Sequence, residues 1–299
     1  MPMINVKNLT RSFGNNLVLK DVSFQAEKNK VYGLVGLNGA GKTTLIRILL
    51  GLIRKDGGSV SVGGFDPWRH QPEFYRTAGV ALESDGFCGN MSVRDNLRMF
   101  ASAKGILWGD AEKYFEEYWG GTDIFASTRK VKLLSRGQRV RCGLCRAFLG
   151  WPKVYFFDEP AVSLDIKAYQ HFKELAREAK SRGAALLISS HQLETIDDLC
   201  DKVGLLRDGQ IDELDKSKSQ ATWMIRVVDC IDNREWGKII ANNGGIGVTV
   251  NDNILTFSVD ESDKNIPAII TALVNAGCQI CEVSRTKSDF SDAIKTIYK

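Results

Sequence analysis

The chain has 299 residues, of which 43% are hydrophobic, and a formal net charge of +4. This length is sufficient for a large core and a second, smaller domain. The charge is mild and basic runs with interleaved aromatic residues are missing, so we expect no nucleic-acid partner. No stretch approaches the roughly 18 apolar residues of a membrane span, and residues 1–5 lack the charged and apolar regions of a signal peptide. We therefore expect a cytoplasmic protein that does not itself form a path across a membrane.

The seven cysteines are typical of a reducing compartment rather than of a disulfide framework. Two C-x-x-C pairs, Cys142 with Cys145 and Cys278 with Cys281, resemble half-sites for zinc. The pairs are far apart in the chain, and the second lies in a predicted strand, where residues three apart point to opposite faces. This spacing argues against a metal site.

A β-rich start to about Asn29 precedes the first sequence motif. Residues Gly36–Thr44 read GLNGAGKTT and lie between the apolar run Val31–Leu37 and the helical pattern Thr44–Leu50. A strand, a loop of this composition and a helix form a phosphate-binding loop, the P-loop. Its backbone N–H groups and the helix N-terminus favour phosphate, Lys42 adds a cation, and the hydroxyl of Thr43 is a ligand for Mg²⁺.

A second glycine-containing turn, Leu134–Gln138, lies within residues 90–150, which we predict to be mostly helical. Ser135 and Gly137 precede a predicted helix over 138–149, whose N-terminus also suits an anion. An ordinary helix cap is the alternative, because Ser is a favoured N-cap residue in any protein. One nucleotide cannot readily use both this turn and the P-loop.

Two later apolar strands end in side chains suited to hydrolysis. Residues Val154–Phe157 predict a strand buried on both faces, and it delivers Asp158 and Glu159 to its carboxyl end. In a Mg²⁺-nucleotide site the aspartate would hold the water shell of the metal, and the glutamate would orient or deprotonate the attacking water. The strand Ala184–Ser190 ends at His191, whose imidazole can donate to a terminal phosphate.

Together these residues resemble the nucleotide-binding domain of ABC transporters, over about residues 3–215. The order of the motifs along the chain carries the resemblance: Phe13 matches the aromatic residue that stacks on adenine, Gly36–Thr44 the Walker A loop, Leu134–Gln138 the signature motif, Val154–Glu159 the Walker B strand with its catalytic glutamate, Ser163–Asp165 the D-loop, and His191 the switch histidine.

The resemblance implies an ATPase that uses ATP and Mg²⁺. The catalytic residues would be Glu159, His191 and Lys42, and the metal ligands Thr43, Glu83 and Asp158. The residues implied to contact ATP are Phe13, Gly36, Leu37, Asn38, Gly39, Ala40, Gly41, Lys42, Thr43, Thr44, Ser135, Gly137, Gln138 and Asp165.

The resemblance also explains why the chain has two glycine-containing turns that one nucleotide cannot readily use together. In this family two domains pair head to tail, and the signature motif of one caps the ATP held by the P-loop of the other. We therefore expect this chain to pair with a second ABC subunit, as a homodimer. We also expect it to bind a separately encoded membrane permease and so to lie at the inner face of the cell membrane.

This sequence departs from the family at several positions. Arg136 replaces the glycine most often found in the signature, Glu83 follows the strand Thr77–Leu82 where many members have a metal-ligating glutamine, and Ala161–Ser163 replace the usual small residues before the D-loop aspartate. In the family the helical subdomain and the loop after Glu83 receive the permease. Phe87, Met91 and Val93 are candidates for that surface, or else for the local core.

The polar linker 212–219 predicts a boundary between a domain over residues 1–215 and one over 222–299. Beyond it we predict strands over 224–228, 247–250, 254–259 and 279–284 and helices over 234–241, 266–275 and 290–298. The order βαββαβ is the ferredoxin-like arrangement with one added helix. The fold class is thus α/β, with a P-loop NTPase core, an antiparallel β subdomain, a helical signature subdomain and a small α+β ferredoxin-like C-terminal domain.

C-terminal domains of this kind occur in the exporter branch of the family, which favours export over import. Two alternatives remain. One is a soluble ABC ATPase acting on ribosomes or DNA, although such proteins carry two cassettes or long coiled-coil insertions that this chain lacks. The other is a regulatory protein that binds ATP without turnover; Lys42 and Glu159 argue against it, whereas Glu83 and Arg136 favour it.

Overall fold

A computed structural model describes residues 2–82, 86–120, 129–215, 222–228, 233–251, 253–259 and 265–286. The chain divides into two compact units between Leu214 and Asp215. Each unit has its own hydrophobic core.

The first unit is built around a six-stranded sheet with the strand order β5-β6-β7-β3-β8-β9. Its strands are β3 (Val31–Val35), β5 (Ala78–Ala81), β6 (Val154–Asp158), β7 (Ala185–Ser190), β8 (Lys202–Arg207) and β9 (Gln210–Asp215). The neighbours from β5 through β8 are parallel, and every residue of β3, β6 and β7 is buried. Parallel strands end at the same edge of the sheet, so the residues that follow β3, β6 and β7 are brought close together.

A three-stranded antiparallel sheet lies in the same unit, with the order β2-β1-β4. It comprises β1 (Ile4–Phe13), β2 (Asn16–Ala26) and β4 (Gly57–Val62). One core joins this sheet to helix α1 (Lys42–Leu49) and to the six-stranded sheet, through buried residues such as Leu9, Leu45, Ile46 and Phe156. The P-loop helix is therefore held between two sheets.

The remaining helices of the first unit are α2 (Gln71–Thr77), α3 (Val93–Ala103), α4 (Trp108–Trp119), α5 (Arg136–Phe148), α6 (Ile166–Ser181) and α7 (Leu193–Leu199), with a 3₁₀ turn at Val131–Leu133. The described part of residues 90–150 is mostly helical, in agreement with the prediction. Val93 is fully buried at the start of α3, so it belongs to the local core and not to a partner-facing surface.

The second unit contains β10 (Thr222–Val227), α8 (Asn233–Asn242), β11 (Ile246–Asn251), β12 (Ile254–Ser258), α9 (Ile266–Asn275) and β13 (Ile280–Thr286). The strand order is β11-β12-β10-β13, and each neighbouring pair is antiparallel. Strand β12 thus lies between β10 and β11, as the split βαβ arrangement requires. The predicted fold class is confirmed. The helix predicted over 290–298 lies outside the described residues.

None of the helices in the described part of the chain combines the length and the apolar character needed to cross a membrane.

Candidate functional site

The P-loop connects the end of β3 to the start of α1. Gly41 occupies the N-cap of α1 with a φ of 105°, a left-handed conformation that strongly favours glycine. A Cβ atom at Gly36 would lie 2.7 Å from the carbonyl oxygen of Leu206. Glycine at these positions lets the backbone turn tightly, and it brings the N-terminus of α1 to the edge of the parallel sheet.

Lys42 is the first residue of α1, and its side chain is only 7% exposed. Its ammonium group donates to the carbonyl oxygens of Gly36 at 2.7 Å and of Leu37 at 3.3 Å. The same Nζ atom lies 3.9 Å from Oε1 of Glu159. The lysine therefore folds back over its own loop and brings a positive charge next to the carboxylate at the end of β6.

The buried carboxylate of Asp158 links three elements. Its Oδ2 accepts a hydrogen bond from Oγ1 of Thr43 at 3.1 Å, and its Oδ1 accepts one from the hydroxyl of Ser189. The P-loop helix and strands β6 and β7 thereby meet at one side chain. Hydroxyl and carboxylate oxygens are ligands that Mg²⁺ prefers, so Thr43 and Asp158 fit a magnesium site.

Ser189 is a residue that the sequence-based site omits. It is fully buried on β7, donates to Asp158, and accepts the backbone N–H of Glu159 at its hydroxyl and at its carbonyl oxygen, both at 3.1 Å. Its only signal in the sequence is its place next to the end of an apolar strand that leads to His191.

Glu159 has a φ of 53°, which is unusual for a residue with a side chain and stores backbone strain of about 1–3 kcal/mol. Its Oε2 lies 2.8 Å from Nδ1 of His191, and the backbone N–H of His191 also points to this oxygen at 3.4 Å. The glutamate side chain is 19% exposed and the histidine 48% exposed. The two side chains thus form a pair at the open edge of the sheet.

The second glycine-containing turn forms the start of α5. Ser135 is the N-cap: its hydroxyl accepts the backbone N–H of Gln138 at 3.2 Å, and the Gln138 side chain accepts the backbone N–H of Ser135 at 3.0 Å. This is a capping box. Gly137 packs against the loop before α6, since a Cβ atom there would lie 2.7 Å from the carbonyl oxygen of Ser163. Arg136 is exposed beside it.

A cavity of about 690 Å³ lies between the strand ends and α5. Among the described residues that line it, the polar ones include Asn38, Arg136, Arg139, Asp158, Glu159 and His191. The structure therefore brings the P-loop, the end of β6, the residue after β7 and the signature helix to one space.

Other predicted site residues lie elsewhere. Phe13 ends β1 and is 45% exposed. Asp165 is the N-cap of α6, where its Oδ1 accepts the backbone N–H of Ala168 at 2.8 Å. Glu83 lies outside the described residues.

The sequence profile of the ABC transporter family matches residues 19–162. The chain is 34% identical over 214 residues to the uncharacterised ABC transporter ATP-binding protein YdbJ of Bacillus subtilis, covering 70% of this chain and 68% of that protein. The chain belongs to the ABC transporter family. The lantibiotic transport ATP-binding protein SrtF of Streptococcus pyogenes is an ABC relative that is 32% identical over 70% of this chain and 89% of its own length.

A solved ABC structure, described as the ATP-binding subunit of an ABC transporter, superposes with a TM-score of 0.68 and 27% identity over 71% of this chain and 90% of the other. The prediction of an ABC nucleotide-binding subunit is thus confirmed. The chain binds nucleotide and is the ATP-hydrolysing subunit of an ABC transporter.

Proposed function

We propose that this chain uses ATP and Mg²⁺, forms a homodimer around two ATP molecules, and drives export through a separate membrane permease. The observation that carries this proposal is the convergence of Lys42, Thr43, Asp158 and Glu159 at the N-terminus of α1. A cation, a hydroxyl and two carboxylates at a helix N-terminus are the groups that phosphoryl transfer to water requires.

Nucleotide binding would use the loop residues Gly36–Thr44, whose N–H groups would face the phosphates, and the half-exposed residue Phe13, whose ring would stack on adenine. Lys42 would exchange its carbonyl contacts at Gly36 and Leu37 for contacts with phosphate oxygens. Thr43 and Asp158, whose side-chain oxygens lie 3.1 Å apart, are the residues that would hold Mg²⁺ and its water shell.

Hydrolysis would depend on Glu159 as the residue that orients or deprotonates the attacking water. His191 supports this role, because its Nδ1 lies 2.8 Å from Oε2 of Glu159 and fixes the position of the carboxylate. Its other ring nitrogen, Nε2, is then available to a terminal phosphate. Ser189 would hold both acidic residues through the side chain of Asp158 and the backbone of Glu159.

The second glycine-containing turn supports the proposed homodimer. The turn lies at the N-terminus of α5, with Ser135, Gly137 and Gln138 in its first positions. The partial positive charge at the N-terminus of a 13-residue helix favours an anion. A second copy would place its ATP there, with Asp165 near the contact between subunits. Residues 222–299 would form an accessory domain, since every residue predicted to contact ATP precedes residue 222 in the sequence.

Export and attachment to the inner face of the cell membrane are supported by two findings. SrtF is named as a lantibiotic transport protein, and the second unit has the ferredoxin-like strand order. The alternative, a soluble or regulatory ATPase without a permease, predicts that no membrane protein co-purifies with the full chain.

Dimerisation is tested with the Glu159→Gln variant, which retains ATP because hydrolysis is blocked. Sedimentation velocity with saturating ATP and Mg²⁺ should show a dimer, whereas the same protein without nucleotide, and the Lys42→Ala/Glu159→Gln double variant with ATP, should stay monomeric. A monomer of Glu159→Gln at saturating ATP contradicts the homodimer.

A further inference from the structure

We infer that Arg11 and Asp56 are positioning residues for the adenine base, because they hold the ring of Phe13 with one face covered and the other available. This inference rests on the proposed function, in which Phe13 stacks on adenine. It concerns two residues that lie outside the predicted site.

Arg11 covers one face of the Phe13 ring. The central carbon of its guanidinium lies 4.5 Å from the ring centroid, within the range of a cation–π contact. The residue Phe13 nevertheless remains 45% exposed. A base that stacks on Phe13 therefore approaches the face opposite to Arg11.

Asp56 fixes the backbone that leads to Phe13. Its Oδ1 accepts a hydrogen bond from Nη1 of Arg11 at 2.8 Å, and its Oδ2 accepts the backbone N–H of Ser12 at 2.7 Å. Its own backbone N–H donates to the carbonyl oxygen of Thr10 at 2.9 Å. One residue thus contacts each of the three residues that precede Phe13.

The ionised form of Asp56 is the one that makes these contacts. The hydrogen bond from the Ser12 backbone, together with the Arg11 guanidinium, lowers the pKa of the Asp56 carboxyl from its usual 3.8. The Asp56 carboxyl is therefore ionised at neutral pH.

At its carboxyl end β1 is paired with β2 as far as Phe13, whereas its pairing with β4 ends at Thr10. Its pairing with β2 is irregular between Leu9 and Ser12, and its pairing with β4 shifts between Lys7 and Thr10. The start of β4 is nevertheless close to β1, since a Cβ atom at Gly57 would lie 2.7 Å from Oγ1 of Thr10. Asp56 therefore adds contacts to Arg11 and Ser12 on the β4 side, beyond the last pair of the β1–β4 ladder.

Loss of these contacts should weaken base stacking without changing the phosphate contacts. In Asp56→Ala the Ser12 N–H and the Arg11 guanidinium lose their acceptor and donate to solvent water instead. The Phe13 ring then gains rotational freedom. Because stacking contributes substantially to nucleotide affinity, we expect the KM for ATP to rise about threefold to tenfold with kcat unchanged. Inhibition by inorganic tripolyphosphate, which carries no base, should be unaffected.

The test is steady-state ATPase kinetics of the full-length protein, with tripolyphosphate as competitor. Asp66→Ala is the matched control, because Asp66 accepts the backbone N–H of Trp68 at 2.9 Å and lies 3.7 Å from Nε of Arg69. It should leave KM unchanged. Asp56→Asn should give an intermediate KM, because its amide oxygen can still accept the Ser12 N–H after the charge is lost.

Several outcomes overturn the inference. If Asp56→Ala and Asp66→Ala have the same KM, Asp56 has no special role. If tripolyphosphate affinity falls together with ATP affinity, the role of Asp56 is structural. Phe13→Ala distinguishes failure of the proposed function from failure of this inference. An unchanged KM of Phe13→Ala shows that Phe13 does not stack on adenine, which overturns both. A raised KM of Phe13→Ala with a wild-type KM of Asp56→Ala overturns this inference alone.

Discussion

The two glycine-containing turns of the first unit differ in where their polar groups find partners. At the P-loop, Asp158 accepts hydrogen bonds from Thr43 and Ser189, which lie in distant parts of the chain, and Lys42 lies 3.9 Å from Glu159. At the signature turn, Ser135 and Gln138 bond to each other within one helical turn. The P-loop contacts thus join distant parts of one chain. The signature turn is a local helix cap, and its hydroxyl can accept the Gln138 N–H and donate its own hydrogen to a ligand at the same time.

The largest expected effect is that of Glu159→Gln on turnover. A water-orienting or general-base group contributes about 10²- to 10⁴-fold to the rate, so kcat should fall by that factor while ATP binding persists. The measurement is steady-state phosphate release, with Glu174→Gln, an exposed acid on α6, as control. Unchanged turnover would remove Glu159 from the chemistry.

Lys42→Ala should have the next largest effect. A charge-assisted contact to phosphate is worth about 1.5–3 kcal/mol, so ATP affinity should fall roughly tenfold to a hundredfold. Calorimetric titration measures this, and Lys113→Ala, an exposed lysine on α4, is the control for loss of a charge. Equal affinities of the two variants would show that the Lys42 ammonium does not reach the nucleotide.

Ser189→Ala tests whether the contacts of Ser189 with Asp158 and Glu159 support the metal and water positions together. The change removes a donor to Asp158 and one acceptor for the Glu159 N–H, so we expect a loss of stability of about 1–3 kcal/mol and a roughly tenfold higher Mg²⁺ requirement. Ser190→Ala is the matched control, since Ser190 is also buried but bonds to the backbone of Gln192. A similar change in Mg²⁺ requirement for both variants would contradict the role assigned to Ser189.

The smallest effect is expected for Ser135→Ala at the signature turn. This variant tests whether the signature turn, like the P-loop, contacts the nucleotide. Ser135→Ala and Ser92→Ala each remove an N-cap hydroxyl in the helical subdomain, so each should lower the unfolding free energy by about 1 kcal/mol. Only Ser135→Ala should also weaken the ATP-dependent dimer, measured by sedimentation in the Glu159→Gln background. If both variants dimerise equally well, Ser135 acts as a helix cap alone.

Elements marked by local sequence patterns could be predicted from the sequence. The apolar runs predicted β3, β6 and β7, and the glycines predicted the P-loop between β3 and α1. Helix starts were less accurate: α1 begins at Lys42 rather than at Thr44, and α5 at Arg136 rather than at Gln138. Ser135 caps α5 with its side chain, whereas Gly41 precedes α1 in a left-handed conformation without a side-chain cap. The local backbone geometry at these positions decides where each helix begins more than apolar spacing does.

The residues that support the site could not be predicted in the same way. Ser189 acquires its contacts because β7 pairs with β6, and Asp56 because β4 pairs with β1. Serine and aspartate are common at strand ends and turns, so the residue type alone indicates no role. The functional roles of the residues named by the motifs stay predictions until they are measured.

The contact between Gly137 and the carbonyl oxygen of Ser163 has a consequence for how this protein can vary during evolution. A side chain at 137 would require the start of α5 or the loop before α6 to shift, so this position favours glycine. The neighbouring side chain of Arg136 is exposed and meets no such barrier. Bulk and charge can therefore accumulate at 136 in related sequences, whereas position 137 is constrained by packing within the chain even before a nucleotide binds.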